Sequence, residues 1–299
     1  MRRSLPPLIL VLASLGAAAC ATTPGVRFAA IYLDLDGTAL NSKAEVPART
    51  AEALERYRAC GGHVGLASGR TYEQLERYVP DLRPDLPVVV FNGAASVSPD
   101  GKDVLFVQRL PEGVVRNTLA ACKNLPGVIG VVIHEMTVTT IDRSTEELAK
   151  ILREANITPT GTIAPEAGPP LTAVKLLVLA QPDSSESVAA AVSAAVGPAA
   201  RVIVSGPKSI EVVAPGVDKA LPVKAALERA GIDPADALLF GDSGNDVALV
   251  SSMGPGFAMA NCRKETCEAA LAIIKGNDTD AVANVIEKIA ILPTCRAGR

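Results

Sequence analysis

Two carboxylates stand one residue apart in Ile31-Tyr32-Leu33-Asp34-Leu35-Asp36-Gly37-Thr38, where an apolar run gives way to a glycine turn. Repulsion and desolvation both disfavour two ionised groups at such a place, and a bound cation is the usual compensation. The chain does the same far downstream in Leu238-Leu239-Phe240-Gly241-Asp242-Ser243-Gly244-Asn245-Asp246. Two acid-rich strand ends suggest one metal site, and a donor set of oxygens alone suits Mg2+. On an extended backbone residues two apart face the same way, so Asp34 and Asp36 are expected to reach one bound group while Leu35 packs behind. A carboxylate held against a cation keeps a low pKa and is available as a nucleophile toward phosphorus. A second, less tightly held, can keep its proton and give it to a leaving alcohol. Gly37 permits a sharp exit from the strand, and the Thr38 hydroxyl and amide can contact a phosphate.

The elements that must position these groups read as βαβ units on a parallel sheet. Phe28 to Leu33 is a first strand, and Pro47 opens a helix that Gly61-Gly62 closes. His63 to Ala67 is a second strand, Thr71 to Val79 a helix and Val88 to Phe91 a third strand. Three strands thus end in polar turns, at Asp34 to Thr38, Ser68-Gly69-Arg70 and Asn92-Gly93. In an open parallel sheet such ends share the ligand-binding edge. Between about Lys102 and Val204 the texture changes to abutting apolar strands among helices at Glu112 to Lys123, Ser144 to Ala155 and Ser184 to Val196. Ser144 with Glu147 predicts a capping box for the middle helix. This stretch reads as an inserted α+β domain. The parallel texture resumes with a strand at Ser209 to Val213, a helix at Lys219 to Ala230 and a strand at Ala237 to Phe240.

Composition removes several alternatives. The 299 residues carry a formal charge of -3, no Trp and only 3% aromatics, so nucleic acid is not an expected partner. Two histidines, His63 and His134, poorly supply a Ser-His-Asp hydrolase or a multi-His zinc centre. Residues 1–25 have a basic start, an apolar run from Leu8 to Leu15 and small residues before Cys20, the layout of a secretory leader. Export is the expectation, with a lipid anchor at Cys20 or simple secretion. The alternative is a cytoplasmic enzyme beginning near Val26. Cys60, Cys122, Cys262, Cys267 and Cys295 form no CxxC pair and are expected as small core residues rather than disulfides.

At Asp34-Leu35-Asp36-Gly37-Thr38 the chain resembles the haloacid dehalogenase (HAD) superfamily of phosphotransferases, whose signature is DxDGT, and the resemblance runs from about Phe28 to Ile289. It implies a phosphoaspartate on Asp34, with Asp36 as general acid and base. It implies a phosphate-binding Ser68, and a Lys219 that neutralises phosphate and nucleophile together. In Gly241-Asp242-Ser243-Gly244-Asn245-Asp246 it implies metal binding by Asp242, phosphate contact by Asn245 and support of the metal shell by Asp246. The metal set is then Asp34, Asp36, Asp242 and Asp246. The substrate set is Thr38, Ser68, Gly69, Asn92, Gly93, Lys219 and Asn245.

The insert lies between the Ser68 and Lys219 elements, which resembles the Cof-like branch, subfamily IIB. Phe91-Asn92-Gly93-Ala94, Lys208 to Lys219 and Ala258-Met259-Ala260-Asn261 are similar to that branch too. Cys262 and Ala281 depart from its usual Ala and Gly. The implied fold is α/β: a Rossmann-like parallel-sheet core at 26–101 and 205–299 with a cap at 102–204. The implied activity is Mg2+-dependent hydrolysis of small phosphorylated metabolites, sugar phosphates foremost. A phosphomutase and a non-catalytic surface-anchored binding protein are the rivals. The cap is expected to close over the site and select the leaving group. Within it, Lys175 is expected to keep its head in water and His134 to be a satisfied strand residue.

Overall fold

The computed structural model describes residues 25–163 and 172–296. The leader and Cys20 lie outside them. The described residues divide into two compact units: one holds those up to Ala67, Tyr78–Leu86 and those from Val223, the other those of Ser68–Arg77 and Pro87–Pro222. Among the described residues no helix is long and apolar enough to cross a membrane.

The first unit carries five parallel strands, numbered here in chain order along the whole molecule: β1 (Ala30–Leu33), β2 (His63–Ala67), β12 (Ala237–Gly241), β13 (Gly256–Ala258) and β14 (Ala272–Ile273). Their order is β14-β13-β12-β1-β2, with Leu33 opposite both Phe240 and Leu66. β1 and β12 are buried along their whole length, the reason both read as unbroken apolar runs. Because they are parallel neighbours in this register, the two acidic turns leave the sheet side by side. Helix α1 (Ala48–Ala59) covers the sheet through Ala53, Leu54 and Tyr57, and the Tyr57 hydroxyl donates to the Phe28 carbonyl at 2.6 Å.

The first and last described segments of this unit are tied together. Val26 bridges Ile291, the Leu292 amide donates to the Gly25 carbonyl, and a disulfide joins Cys60 to Cys295. A second disulfide joins Cys262 to Cys267. The expectation of unpaired core cysteines fails at these four positions and holds for Cys122, which is buried and free. Partners 235 residues apart leave no local spacing signal.

The second unit contains an antiparallel meander, β3 (Val88–Val90), β4 (Ala95–Val97) and β5 (Val104–Val107). It also contains a six-stranded sheet built from β6 (Val128–His134), β7 (Thr139–Ile141), β8 (Gly161–Thr162), β9 (Lys175–Ala180), β10 (Arg201–Gly206) and β11 (Ser209–Val213). The order is β10-β11-β9-β6-β7-β8, antiparallel except for β7 with β8. β11 therefore does not resume the parallel pattern: it pairs antiparallel with β9 and β10, a partnership that its alternating residues alone leave open.

Helices α2 (Glu112–Cys122), α3 (Glu146–Glu154) and α4 (Ser185–Val196) accompany this sheet. Leu148 and Leu152 of α3 pack with Ile129, Val132, Ile141, Ile157 and Leu179 into one apolar cluster. The cap of α3 is Thr145, whose hydroxyl accepts from the Leu148 amide at 3.2 Å; the box expected at Ser144 and Glu147 gives way to this single cap one residue on, where N3 is Leu148 and no reciprocal bond can form.

Candidate active site

In the first unit β1 ends at Leu33, and the chain coils immediately afterwards. Asp34 is still extended (φ -66°, ψ 160°) and buried, Leu35 is fully buried, and Asp36 is exposed. The two carboxylates therefore do not share one environment. Period-two alternation holds only while a strand continues, and this one ends before Asp34.

Gly37 takes φ 78°, and a Cβ there would collide with the Asp242 carboxylate. Glycine is thus required twice over, for its left-handed backbone and for the approach of Asp242. The Thr38 hydroxyl donates to Asp242 Oδ1 at 3.4 Å. Asp246, fully buried, accepts the backbone amides of Asp242 and Ser243 on Oδ2 at 3.1 and 3.0 Å, which fixes the turn after β12 from within.

The outcome is a convergence of three carboxylates. One oxygen each of Asp34, Asp242 and Asp246 lies within 4.8 Å of the others. A cluster of hard oxygen donors at this spacing fits Mg2+ by the chemistry of its ligands. The Asp36 carboxylate, included in the expected metal set, is not in this group. Asn245 sits on the same turn, in the short helix Gly244–Asp246.

One residue that the sequence flagged without a role proves central. Asn261 Nδ2 donates to the Gly37 carbonyl at 2.8 Å and to Asp242 Oδ2 at 3.2 Å, and its Oδ1 accepts the Asn277 amide at 3.2 Å. The Asn277 carboxamide in turn donates to the Leu40 carbonyl at 2.8 Å. These two side chains tie both acidic turns to each other. A lone Asn in a loop carries no periodic signal, so only the resemblance at Ala258 to Asn261 could point to it.

The second unit gathers the remaining expected residues. Ser68 has no exposed surface, and its amide donates to the Val89 carbonyl at 2.9 Å. The Asn92 amide donates to the Ser68 carbonyl, and the Phe91 amide to the Arg70 carbonyl, each at 3.0 Å. Those bonds bind the turn Ser68-Gly69-Arg70 to the turn Phe91-Asn92-Gly93. Gly93 (φ 100°) lies so close to the Asp218 carbonyl that no Cβ fits, which sets this turn against the Asp218-Lys219 backbone. Asp218 Oδ1 accepts the amides of Ala220 and Leu221 at 2.8 and 3.0 Å, opening helix α5 (Ala220–Arg229) directly after Lys219. Lys219 itself is fully buried. Ser68, Gly69, Asn92, Gly93 and Lys219 are thus brought together in one unit, as Asp34, Thr38, Asp242 and Asp246 are in the other.

Two residues of the six-stranded sheet divide the expectation. His134 is a satisfied strand residue, with Nδ1 3.1 Å from the Thr139 hydroxyl. Burial first, and the Lys175 cation second, push its pKa down to about 3. Lys175 does not keep its head in water: it is 5% exposed, 2.9 Å from Glu211 and 2.7 Å from the Gly69 carbonyl. A strand lysine is read as solvated only when its face of the sheet is open, and this face is covered.

Likeness to known proteins places the chain. A model of the haloacid dehalogenase-like hydrolases matches residues 31–286. The chain belongs to that family. It is 26% identical to the 5-amino-6-(5-phospho-D-ribitylamino)uracil phosphatase YbjI of Escherichia coli, over 87% of this chain and 95% of that protein. It is 25% identical to the chloroplastic endoribonuclease YBEY of Arabidopsis thaliana, but spans only 47% of that protein's length. Among solved structures, a haloacid dehalogenase-like hydrolase from Bacteroides thetaiotaomicron superposes with a TM-score of 0.76 at 25% identity, covering 87% of this chain and 99% of that one. The subclass IIB sugar phosphatase BT4131 gives 0.74 at 22% identity, covering 86% and 97%, a likeness of fold.

Proposed function

We propose that this hydrolase is a Mg2+-dependent phosphatase of small phosphorylated metabolites, sugar phosphates foremost, working through a phosphoaspartate on Asp34. The observation that carries the reading is the convergence of Asp34, Asp242 and Asp246 beneath the Gly37 turn. Asp34, Asp242 and Asp246 would hold the cation, which when bound supplies positive charge against carboxylates and phosphoryl oxygens alike.

The rest falls to the chain's own groups. An oxygen of Asp34 attacks phosphorus, the bond from phosphorus to the ester oxygen breaks, and the exposed Asp36 carboxyl gives its proton to the departing alkoxide. Asp36, now ionised, takes a proton from water as that water attacks the acyl phosphate, so inorganic phosphate leaves and Asp34 is restored. Ser68 and Asn92 hydrogen-bond non-bridging oxygens, and Lys219 offsets their charge. Relatives named as phosphatases support the reading, YbjI among them.

Phosphate release by the full chain across sugar phosphates, nucleotides and phosphorylated cofactors tests it. The expected result is turnover that EDTA removes, that Mg2+ restores, and that Asp34→Asn lowers by about 1000-fold or more while melting temperature is kept. Wild-type rates in Asp34→Asn would overturn the proposal.

We infer in addition that the protein is exported. The Cys60–Cys295 and Cys262–Cys267 disulfides support this, since such bonds persist in oxidising compartments. The expected mature protein begins at Cys20 or just after it, carrying lipid in the first case. Mass spectrometry of a cytosolic protein that retains Met1 would refute export.

A further inference from the structure

Three ionisable side chains lie on one face of the six-stranded sheet. His134 of β6 stands opposite Lys175 of β9, and Glu211 of β11 stands opposite Leu177 of β9. By the two-residue period of a strand, Lys175, Leu177, Val132 and His134 share that face, with Glu211 on the diagonal from Lys175. Further along, the same face is core, carrying Val132 and Leu177. An ion pair at the end of an apolar face has a desolvation cost that its own attraction seldom repays, and the best-attested use of such a pair is to specify one arrangement of its surroundings.

What this pair arranges is visible in its remaining bonds. Lys175 Nζ donates to Glu211 Oε1 at 2.9 Å and to the Gly69 carbonyl at 2.7 Å. The other Glu211 oxygen accepts from the Asn92 carboxamide. The pair therefore grips both turns of the second unit, one by its backbone and the other by its side chain. Those turns need a grip. Phe91 and Asn92 are consecutive residues with left-handed backbones (φ 52° and 60°), a conformation that costs roughly 1–2 kcal/mol for each residue bearing a Cβ. Gly69 is packed so close beneath Asn92 Oδ1 that a Cβ would sit 2.6 Å from it, so a shift of either turn moves the other.

We propose that Lys175 and Glu211 are positioning residues for phosphoryl transfer: the ion pair holds the Gly69 carbonyl and the Asn92 carboxamide, and with them the Ser68-Gly69-Arg70 and Phe91-Asn92-Gly93 turns, in the one arrangement that presents Ser68 and Asn92 to a phosphate. The catalytic part of this statement rests on the function proposed above. The hold on the two turns does not.

The double variant Lys175→Met/Glu211→Leu tests it, because apolar replacement of both partners leaves no buried charge behind. Amide hydrogen exchange of the full chain is read at residues 68–70 and 91–93, with β6 and β9 as internal references. The expected result is exchange about tenfold faster at the turns with the references unchanged. With a substrate from the panel above, kcat is expected to fall about 10- to 100-fold and KM to change less than about threefold, because misplacement of a transition-state contact acts on kcat. Should the double variant fail to fold, the isosteric Glu211→Gln is read the same way. Turns as protected as in wild type, or faster exchange with kcat unchanged, would overturn the proposal. A wild-type protein silent toward every substrate defeats the proposed function, while the hold on the turns is still decided by exchange.

Discussion

Gly37 shows how much of this site depends on the absence of a side chain. Its backbone lies in the left-handed region, and the Asp242 carboxylate occupies the volume that a Cβ would take. Gly37→Ala is expected to lose roughly 1–2 kcal/mol of stability to backbone strain and to displace Asp242 from Asp34 and Asp246. Isothermal titration with Mg2+ should then show weakened binding, with an affinity equal to wild type counting against the carboxylate cluster as the metal site. His134 makes a second prediction at this scale. Its folded pKa of about 3 lies below the ordinary 6.5, so the unfolded chain binds a proton in a range where the folded one does not. The stability that neutral His134 contributes is complete above pH 6.5 and is lost as the pH falls from there toward 3. Urea unfolding at pH 7 and pH 4.5 should show a smaller difference for His134→Gln than for wild type.

At the scale of elements, position within a strand or helix decides which residues matter. β1 ends at Leu33, yet the Asp34 amide still donates to the Phe240 carbonyl at 3.0 Å, and the turn that follows leaves Asp34 buried and Asp36 exposed. The nucleophile proposed is the one still attached to the rigid sheet, and the proposed proton carrier is the one on the turn, where water reaches it. The start of α3 is set by Thr145, since its hydroxyl satisfies the Leu148 amide and Leu148 anchors the apolar cluster on the six-stranded sheet. Thr145→Ala is expected to cost about 1 kcal/mol, read as a lower urea midpoint at unchanged slope, and Ser144→Ala to cost less. The opposite ranking would restore the cap to Ser144.

At the scale of the molecule, the first and last described segments of the chain lie against each other. The Val26 bridge to Ile291, the Leu292 amide on Gly25 and the Cys60–Cys295 disulfide fasten the first described residues to the last helix. A cross-link between residues 235 apart constrains the unfolded chain strongly, by on the order of 5–6 kcal/mol in the chain-entropy account. Cys60→Ser/Cys295→Ser, or full reduction of the wild type, is therefore expected to lower the melting temperature by roughly 10 °C. An equal melting temperature would mean that the bond does not form in solution. The Cys262–Cys267 bridge lies elsewhere: it ties the residue after Asn261, which joins both acidic turns, to the helix Lys264–Ala269.

The amino-acid sequence by itself determined the parallel strands of the first unit, the acidic turns at their ends and the residue types available for phosphate chemistry. These depend on short-range order: an apolar run followed by Asp, Gly and Thr places those groups at a strand end wherever the strand lies. Tertiary structure alone decided which carboxylates converge, that Asp36 is outside the cluster, and that Asn261 and Asn277 lace the turns together. It alone turned Lys175 from a solvated residue into half of a buried pair with Glu211, paired β11 antiparallel, and chose the cysteine partners. In each case the deciding quantity is burial or pairing with a segment far along the chain, and neither leaves a trace in the spacing of neighbouring residues.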